Sequence, residues 1–504
     1  MGKIRDLTCD FDNEVVAGSV DGDYTELVTD SRKIHEGCIF ICIKGANFDG
    51  HSALKDAIDK KAAAVIVNRE ANLKDLGVDL DTYDGGTAII AVEDTRYAMA
   101  LSAAAYYGHP AKSLKTIGIT GTKGKTTTTY LIKSILEAEG HKVGLIGTIE
   151  VIIGDEHIKA NNTTPESTLI QEYLRKMVDA GCDVVVMEVS SQGLMLHRTA
   201  GILFDIGIFT NIEPDHIGPN EHTSFEHYLG CKGLLFKQCR LGIVNGDDEH
   251  TDDVLSGHTC EVFKYGLNEG NNITASNIEL YREGSALGVA FDVRGEANFR
   301  AKINMPGKFS VYNALSAISV CLSMGADAES IKKSLLKAFV KGRIEMIHVS
   351  DDFSLMIDYA HNAMALRSLL ETLREYNPGR LVSLFGCGGN RARSRRFEMG
   401  EVSGELADFT IITSDNPRNE DPLAIMADIR QGMAKTTGEY IEIPDRYEAI
   451  KFAIKNGQKG DIIVLAGKGH EDYQEICGVK HHMDERELVD KAVDEITGEE
   501  KMPE

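Results

Sequence analysis

The run Gly118-Ile119-Thr120-Gly121-Thr122-Lys123-Gly124-Lys125-Thr126-Thr127-Thr128-Thr129 carries the groups that a polyphosphate needs. Backbone N–H groups of a glycine turn and the positive end of a helix dipole attract the anion. Lys125 can reach the terminal phosphates, and the Thr126 hydroxyl can hold Mg²⁺. Gly121, Thr122, Lys123, Gly124 and Thr127 complete this candidate ATP loop. The spacing is not that of a standard Walker A loop, which places four residues between its first glycine and Gly-Lys; here only two, Thr122 and Lys123, separate Gly121 from Gly124-Lys125. A purely structural glycine turn is the competing reading, and the four threonines at a strand-to-helix junction weigh against it.

Other chemistry-bearing residues fall at the ends of apolar runs. Glu188 closes Asp183 to Val189, an otherwise buried strand, and an ionised carboxylate there needs a cation or a donor. Backbone amides would satisfy it; so would Mg²⁺, which favours one or two carboxylates beside phosphate oxygens. His216 follows the strand Asp205 to Thr210 and is a second candidate metal ligand, although a lone histidine is more often structural. Asn162, Thr163 and Thr164 precede a helix that Thr164 would cap with Pro165 at its first position. Lys232 lies on an apolar helical face, where a lysine ordinarily snorkels to the surface.

These residues require a scaffold of alternating strands and helices. Strands are expected at Cys38 to Ile43, Ala63 to Val67, Ala88 to Val92, Thr116 to Thr120 and Lys142 to Gly147, with a hairpin at Ile149 to Lys159 turning at Gly154-Asp155. Helices are expected at Thr95 to Tyr107, Lys125 to Glu139 and Glu166 to Ala180. Residues 258 to 304 read as antiparallel, with turns at 268–271 and 294–295. A second βα series runs through Ser354 to Ile357, Leu381 to Phe385, Phe409 to Thr413 and Asp461 to Leu465, and the acidic stretch from Asp494 reads as a frayed end. The expected fold is α/β in three domains, 1–108, 109–342 and 343–504, with ligands at the carboxyl ends of parallel strands.

Composition narrows the function. The 504 residues exceed one core, and a formal charge of −24 argues against nucleic acid or an anionic membrane as partner. Ten cysteines without a CxxC pair read as reduced thiols; Cys38 and Cys42 are explained as alternate residues of one strand. No apolar run reaches a membrane-spanning length and the first residues form no signal peptide, so a cytoplasmic protein is expected; a monomer is the working expectation, which these features do not bear on.

The ordered set GITGTKGKTTTT, NNTTPES, MEVSS, FTNIEPDH, YLGCKGLLF, MPGKFSVYNALSA, GRIEMI, DYAHN, FGCGGNR, SDNPRNEDP and LAGKGHEDYQ resembles the Mur ligase family from about Asp30 to Arg486. The resemblance implies an N-terminal α/β domain for a uridine nucleotide, a central P-loop-like ATPase with a parallel sheet, and a C-terminal Rossmann-like domain. It also implies that ATP activates the carboxylate of a UDP-N-acetylmuramoyl-dipeptide as an acyl phosphate, which an amino acid then attacks. Carried over by motif, Lys125, Glu188, His216 and Lys232 form the catalytic set. Thr126, Glu188, His216 and a carbamylated Lys232 hold Mg²⁺. Asn313, Arg343 and Asp358 contact ATP; Ser31, Ala46, Asn47, Phe48, Asn162, Thr163, Thr164, Ser190 and Arg198 contact the UDP substrate.

Asp415-Asn416-Pro417-Arg418, with Arg391, Gly467 and Glu471, matches the amino-acid site. In the family an arginine in this motif goes with meso-diaminopimelate, whose distal carboxylate it can clasp. The chain departs from the family pattern at Gln192, Leu196, Glu213-Pro214 and Asn362-Ala363. Addition of lysine or another amino acid, a folylpolyglutamate or cyanophycin-type ligase, and a non-catalytic nucleotide-binding relative are the alternatives.

Overall fold

The computed structural model describes residues 2–45, 48–218 and 221–500, the last two without their side chains. Ala46 and Asn47, assigned above to the uridine site, lie outside the described residues. The chain divides into two compact units, Met1–Lys125 with Gly140–Phe263, and Thr126–Glu139 with Lys264–Glu504.

The first unit opens with a five-stranded sheet in the order Glu14–Ala17, Ala88–Val92, Ala64–Asn68, Ile39–Ile41, Leu27–Val28. All its pairings are parallel except that of Glu14–Ala17. Successive residues of these apolar strands face opposite sides: Phe40, Val65 and Ile89 join one core, and Ile39, Ile66 and Ile90 join another. Cys38 and Cys42 flank Phe40 on one face as ordinary core residues. The helix Thr95–Tyr106 starts where the Asp94 carboxylate accepts the N–H groups of Arg96 and Tyr97.

The same unit holds a second sheet in the order Glu156–Lys159, Glu150–Ile153, Val143–Ile146, Val184–Glu188, Lys115–Thr120, Phe204–Phe209, Cys239–Asn245. The hairpin joins it antiparallel, and the remaining pairings are parallel. Lys115–Thr120 therefore lies between Val184–Glu188 and Phe204–Phe209, and all three end at one edge, where doubly wound sheets bind ligands.

In the second unit, Ile273–Glu283, Ala286–Gly295 and Phe299–Ile303 are antiparallel, with the long hairpin turning at Gly284-Ser285. The expectation for this region needs one correction: the strand Glu261–Gly266 pairs parallel with Ile273–Glu283. A six-stranded sheet follows, ordered Glu345–Ile347, Ser354–Asp358, Ile462–Ala466, Leu381–Phe385, Phe409–Ile412, Glu439–Glu442, parallel but for its first pair. The acidic end is also corrected as far as residue 500; residues 501–504 lie outside the described residues. Residues 485–500 form a helix, because Glu485 is fully buried against Arg446 at 2.8 Å and Val489 and Ala492 enter the core. No described helix is long and apolar enough to cross a membrane.

Candidate active site

The phosphate loop is fixed from its neighbouring strand. The Thr122 N–H donates to the Asn211 carbonyl at 2.8 Å, the Lys123 N–H to the Asn211 side chain at 2.9 Å, and the Thr210 hydroxyl to the Lys123 carbonyl at 2.7 Å. Gly121 has φ +148°, and a Cβ there would collide with the Thr210 hydroxyl, so the close approach of these two strand ends requires glycine. The helix Lys125–Ala138 then begins at Lys125, with Thr126 and Thr127 buried in its first turn. The Lys123 side chain is exposed and pairs with Glu213 at 2.7 Å.

Two lysines share one acceptor. Lys125 Nζ donates to the Gly121 carbonyl at 2.8 Å and to that of Thr122 at 3.1 Å; Lys232 Nζ, from the helix Phe225–Gly233, donates to the same Gly121 carbonyl at 2.8 Å. The surface reading of Lys232 is overturned: the residue is 2% exposed and its amine lies 4.4 Å from the Tyr228 ring centre. Burial, with Lys125 adding to it, drives its pKa well below the ordinary lysine value. Such an amine is a nucleophile. Tyr228 completes the corner through its hydroxyl, 3.0 Å from that of Thr122.

Glu188 ends its strand fully buried, and its carboxylate accepts the Thr148 N–H and the Thr148 hydroxyl, each at 2.9 Å. Thr148 in turn meets the Thr163 hydroxyl at 3.0 Å. Thr164 donates to the Glu188 carbonyl at 3.0 Å and accepts the Ser190 N–H at 2.9 Å; its capping reading is overturned, because the helix Ser167–Asp179 starts only after Glu166 and the Thr164 hydroxyl is spent on the neighbouring strand end. Arg198 holds the Thr164 carbonyl at 2.9 Å and the Glu166 carboxylate at 2.7 Å. Thr163, Thr164, Ser190 and Arg198 are thus one cluster around Glu188. Asn162 is exposed nearby in sequence. His216 is half exposed, with φ +55° and Nδ1 3.3 Å from Glu221; its ring centre lies 6.1 Å from that of Tyr228. In the other sheet of this unit, Ser31 opens a short 3₁₀ turn capped by Asp30, and Phe48 is exposed.

The second unit holds the remaining residues, with Asp358, Asp415, Asn416 and Gly467 at or just past the carboxyl ends of its parallel strands. Asp415 and Asn416 are buried, and the Asn416 amide donates to Glu471 at 2.9 Å. Lys468, fully buried and unremarked from sequence, donates to Glu471 at 2.7 Å and to the Asn416 carbonyl oxygen of the side chain at 3.1 Å. Burial raises the Glu471 pKa, but Lys468 and Asn416 outweigh it and the carboxyl ends below its ordinary value. Arg418 adopts φ +52°, pairs with Glu475 at 3.2 Å and donates to the Gly389 carbonyl at 2.8 Å. Gly467 has φ +109°, and a Cβ there would press on the Asp415 carboxylate. Arg391 is exposed, and Pro417 is buried. Asn313 is buried in the helix Phe309–Ser323. The Arg343 guanidinium lies 4.9 Å from the Tyr359 ring centre, and Asp358 accepts the N–H groups of Ile344 and Ala360. Desolvation raises the Asp358 pKa against the pull of Arg343.

Comparison with known proteins gives three family matches: Mur ligase family, catalytic domain, over residues 23–107; Mur ligase middle domain over 119–321; and Mur ligase, glutamate ligase domain, over 342–469. The UDP-N-acetylmuramoyl-L-alanyl-D-glutamate--2,6-diaminopimelate ligase 1 of Clostridium acetobutylicum is 41% identical over 497 residues, 98% of this chain and 100% of that protein. A solved structure of a ligase with the same substrates in its name matches with TM-score 0.73 at 28% identity, covering 98% of this chain and 99% of that one. The ADP complex of MurF ligase from Thermotoga maritima shares the fold at TM-score 0.57 and 18% identity, over 94% of this chain and 98% of that one.

Proposed function

The chain belongs to the Mur ligase family, and from that premise we propose that it is an ADP-forming ligase of peptidoglycan synthesis. Its substrates are ATP, UDP-N-acetylmuramoyl-L-alanyl-D-glutamate and meso-2,6-diaminopimelate. The observation that carries this reading is the pair of amines, Lys125 and Lys232, on the Gly121 carbonyl of the phosphate loop. A carboxylate is a poor electrophile until one of its oxygens becomes a phosphate leaving group. Charge builds up in the phosphoryl transfer and again in the tetrahedral intermediate, and fixed cations stabilise both. Lys125 supplies one such cation.

Of the candidate ligands for the first ion, Thr126 and Glu188 offer the oxygens that Mg²⁺ prefers, and Lys232 does not. An ammonium at Lys232 would repel the ion. Addition of its neutral amine to CO₂, with loss of a proton, converts it to an anionic oxygen donor, and the depressed pKa favours that addition. Glu188, Thr126 and carbamylated Lys232 would then hold the ion, and His216 would hold a second one. When bound, Mg²⁺ neutralises phosphate charge. Thr163, Thr164, Ser190 and Arg198 orient the muramoyl dipeptide, and Ser31 and Phe48 contact the uridine. Asn313, Arg343 and Asp358 contact ATP. Arg418 takes the distal carboxylate of diaminopimelate and Glu471 its distal amine, in line with the lowered pKa of Glu471. Residues 1–108, 109–342 and 343–504 are assigned to UDP-substrate, ATP and amino-acid binding. The protein acts as a cytoplasmic monomer.

Purified protein with UDP-N-acetylmuramoyl-dipeptide, ATP, Mg²⁺ and a panel of amino acids tests this reading. ADP release with diaminopimelate is expected. Release with lysine instead reassigns the amino acid, and no release with any overturns the ligase.

A further inference from the structure

Beside the phosphate-loop corner, the first unit brings together three soft metal-binding groups. One ring nitrogen each of His222 and His227 and the sulfur of Cys231 lie within 4.8 Å of one another. His227 and Cys231 are four residues apart on the helix Phe225–Gly233 and so share a face, while His222 approaches from the loop ahead of it. The two imidazole rings stand 5.1 Å apart, inclined at 72°. His222 is fully buried; its Nε2 lies 2.8 Å from the Ser191 hydroxyl, and its Nδ1 is enclosed with no hydrogen-bond partner. A buried ring nitrogen in that condition has lost water and gained nothing in return.

We propose that His222, His227 and Cys231 bind a thiophilic divalent cation of the Zn²⁺ type, and that its binding disables Lys232. A thiolate and two imidazoles are donors that Zn²⁺ prefers, in contrast to the oxygens that suit Mg²⁺. Bonds of about 2.0–2.3 Å place tetrahedral ligands some 3.3–3.8 Å apart, a distance that side-chain rotation reaches from the present spacing. With Ser191 as acceptor of the Nε2–H of His222, across their 2.8 Å contact, the Nδ1 lone pair is left for the metal and the ring is fixed. The Cys231 S–H bond breaks as the S–metal bond forms, and the proton leaves to solvent. A fourth position remains for water. Lys232 is the next residue along the helix, and Tyr228, under its amine, lies 5.2 Å from the His222 ring. Drawing Cys231 toward the histidines pulls the Lys232 amine off Gly121. Metal binding stands apart from the ligase reading; only its effect on turnover rests on it.

The test is equilibrium dialysis of the full chain against Zn²⁺ in excess Mg²⁺ with a non-thiol reductant, alongside absorption spectra with Co²⁺. One Zn²⁺ per chain and a thiolate-to-Co²⁺ charge-transfer band are expected. Cys231→Ala should abolish the band, and both it and the half-exposed variant His227→Ala should weaken Zn²⁺ at least about tenfold. Cys231→Ala should keep turnover and lose its inhibition by Zn²⁺. Absence of stoichiometric Zn²⁺ in the wild type, or binding unmoved by both substitutions, overturns the site. Inhibition unchanged in Cys231→Ala overturns the coupling. Zn²⁺ binding as described with no ligation under any condition supports the site and removes the ligase reading instead.

Discussion

At Lys232 two effects act in one direction: burial removes water from the ammonium, and Lys125 repels it. Lys232→Ala should lower kcat by at least about 10²-fold, the scale of losing a positioned charge-stabilising group. Formate or acetate, placing an anionic oxygen in the vacated space, should restore part of it; turnover unchanged in the variant would exclude a catalytic role. His470 titrates at the other unit. Burial, then Arg343, lowers its pKa from 6.5 to about 4. The unfolded chain therefore binds the proton more readily, so this group's stability contribution is complete above about pH 6.5 and is lost as pH falls to about 4. The loss is on the order of 3 kcal/mol. Urea unfolding midpoints should show that decline for the wild type and a shallower one for His470→Gln.

Among elements, the turn at Gly342 is tightly constrained. Its φ is +67°, its N–H donates to Glu345 at 2.6 Å, and a Cβ would collide with the backbone of Gly469 and His470. Glu345 is itself clasped by Arg486, whose Nε donates at 2.8 Å. Gly342→Ala combines left-handed strain of about 1–3 kcal/mol with a backbone overlap that no rotamer relieves. We expect more than about 3 kcal/mol of destabilisation, and hydrogen-exchange protection lost at residues 342–345 and 467–471. Gly325→Ala is the control. Its φ is also positive, at +91°, but nothing lies within 4 Å, so about 1 kcal/mol is expected. Element ends such as Thr120, Glu188 and Thr210 were legible in sequence, because apolar runs stop there at polar residues. The burial of Lys232 and Lys468 was not, since only tertiary contacts distinguish a buried lysine from a snorkelling one; Lys232 was singled out by its motif alone. The strand Cys239–Asn245 escaped because Arg240 and Gly242 interrupt its apolar pattern. The last helix escaped because its anchors are far away in sequence: Glu485 is held by Arg446, and Arg486 by Glu345.

Across the whole molecule the ten cysteines are free thiols, of which only Cys9 and Cys477 are exposed. Ellman's reagent should modify those two rapidly in the native protein, and the other eight at rates set by opening of their cores. Faster reaction at Cys231 than at Cys321 would report local opening of the helix that carries Lys232. No disulfide contributes to stability, so reductant should leave the melting temperature unchanged.

The burial of the Lys232 amine beside Lys125, where both meet the Gly121 carbonyl, also makes folding a proton-releasing event. Between the depressed value of Lys232 and the ordinary 10.5, the unmodified chain sheds a proton as it closes over that side chain and recovers one when it opens. The calorimetric heat of unfolding in this interval must therefore depend on which buffer donates that proton, and stability must climb as the medium becomes more alkaline.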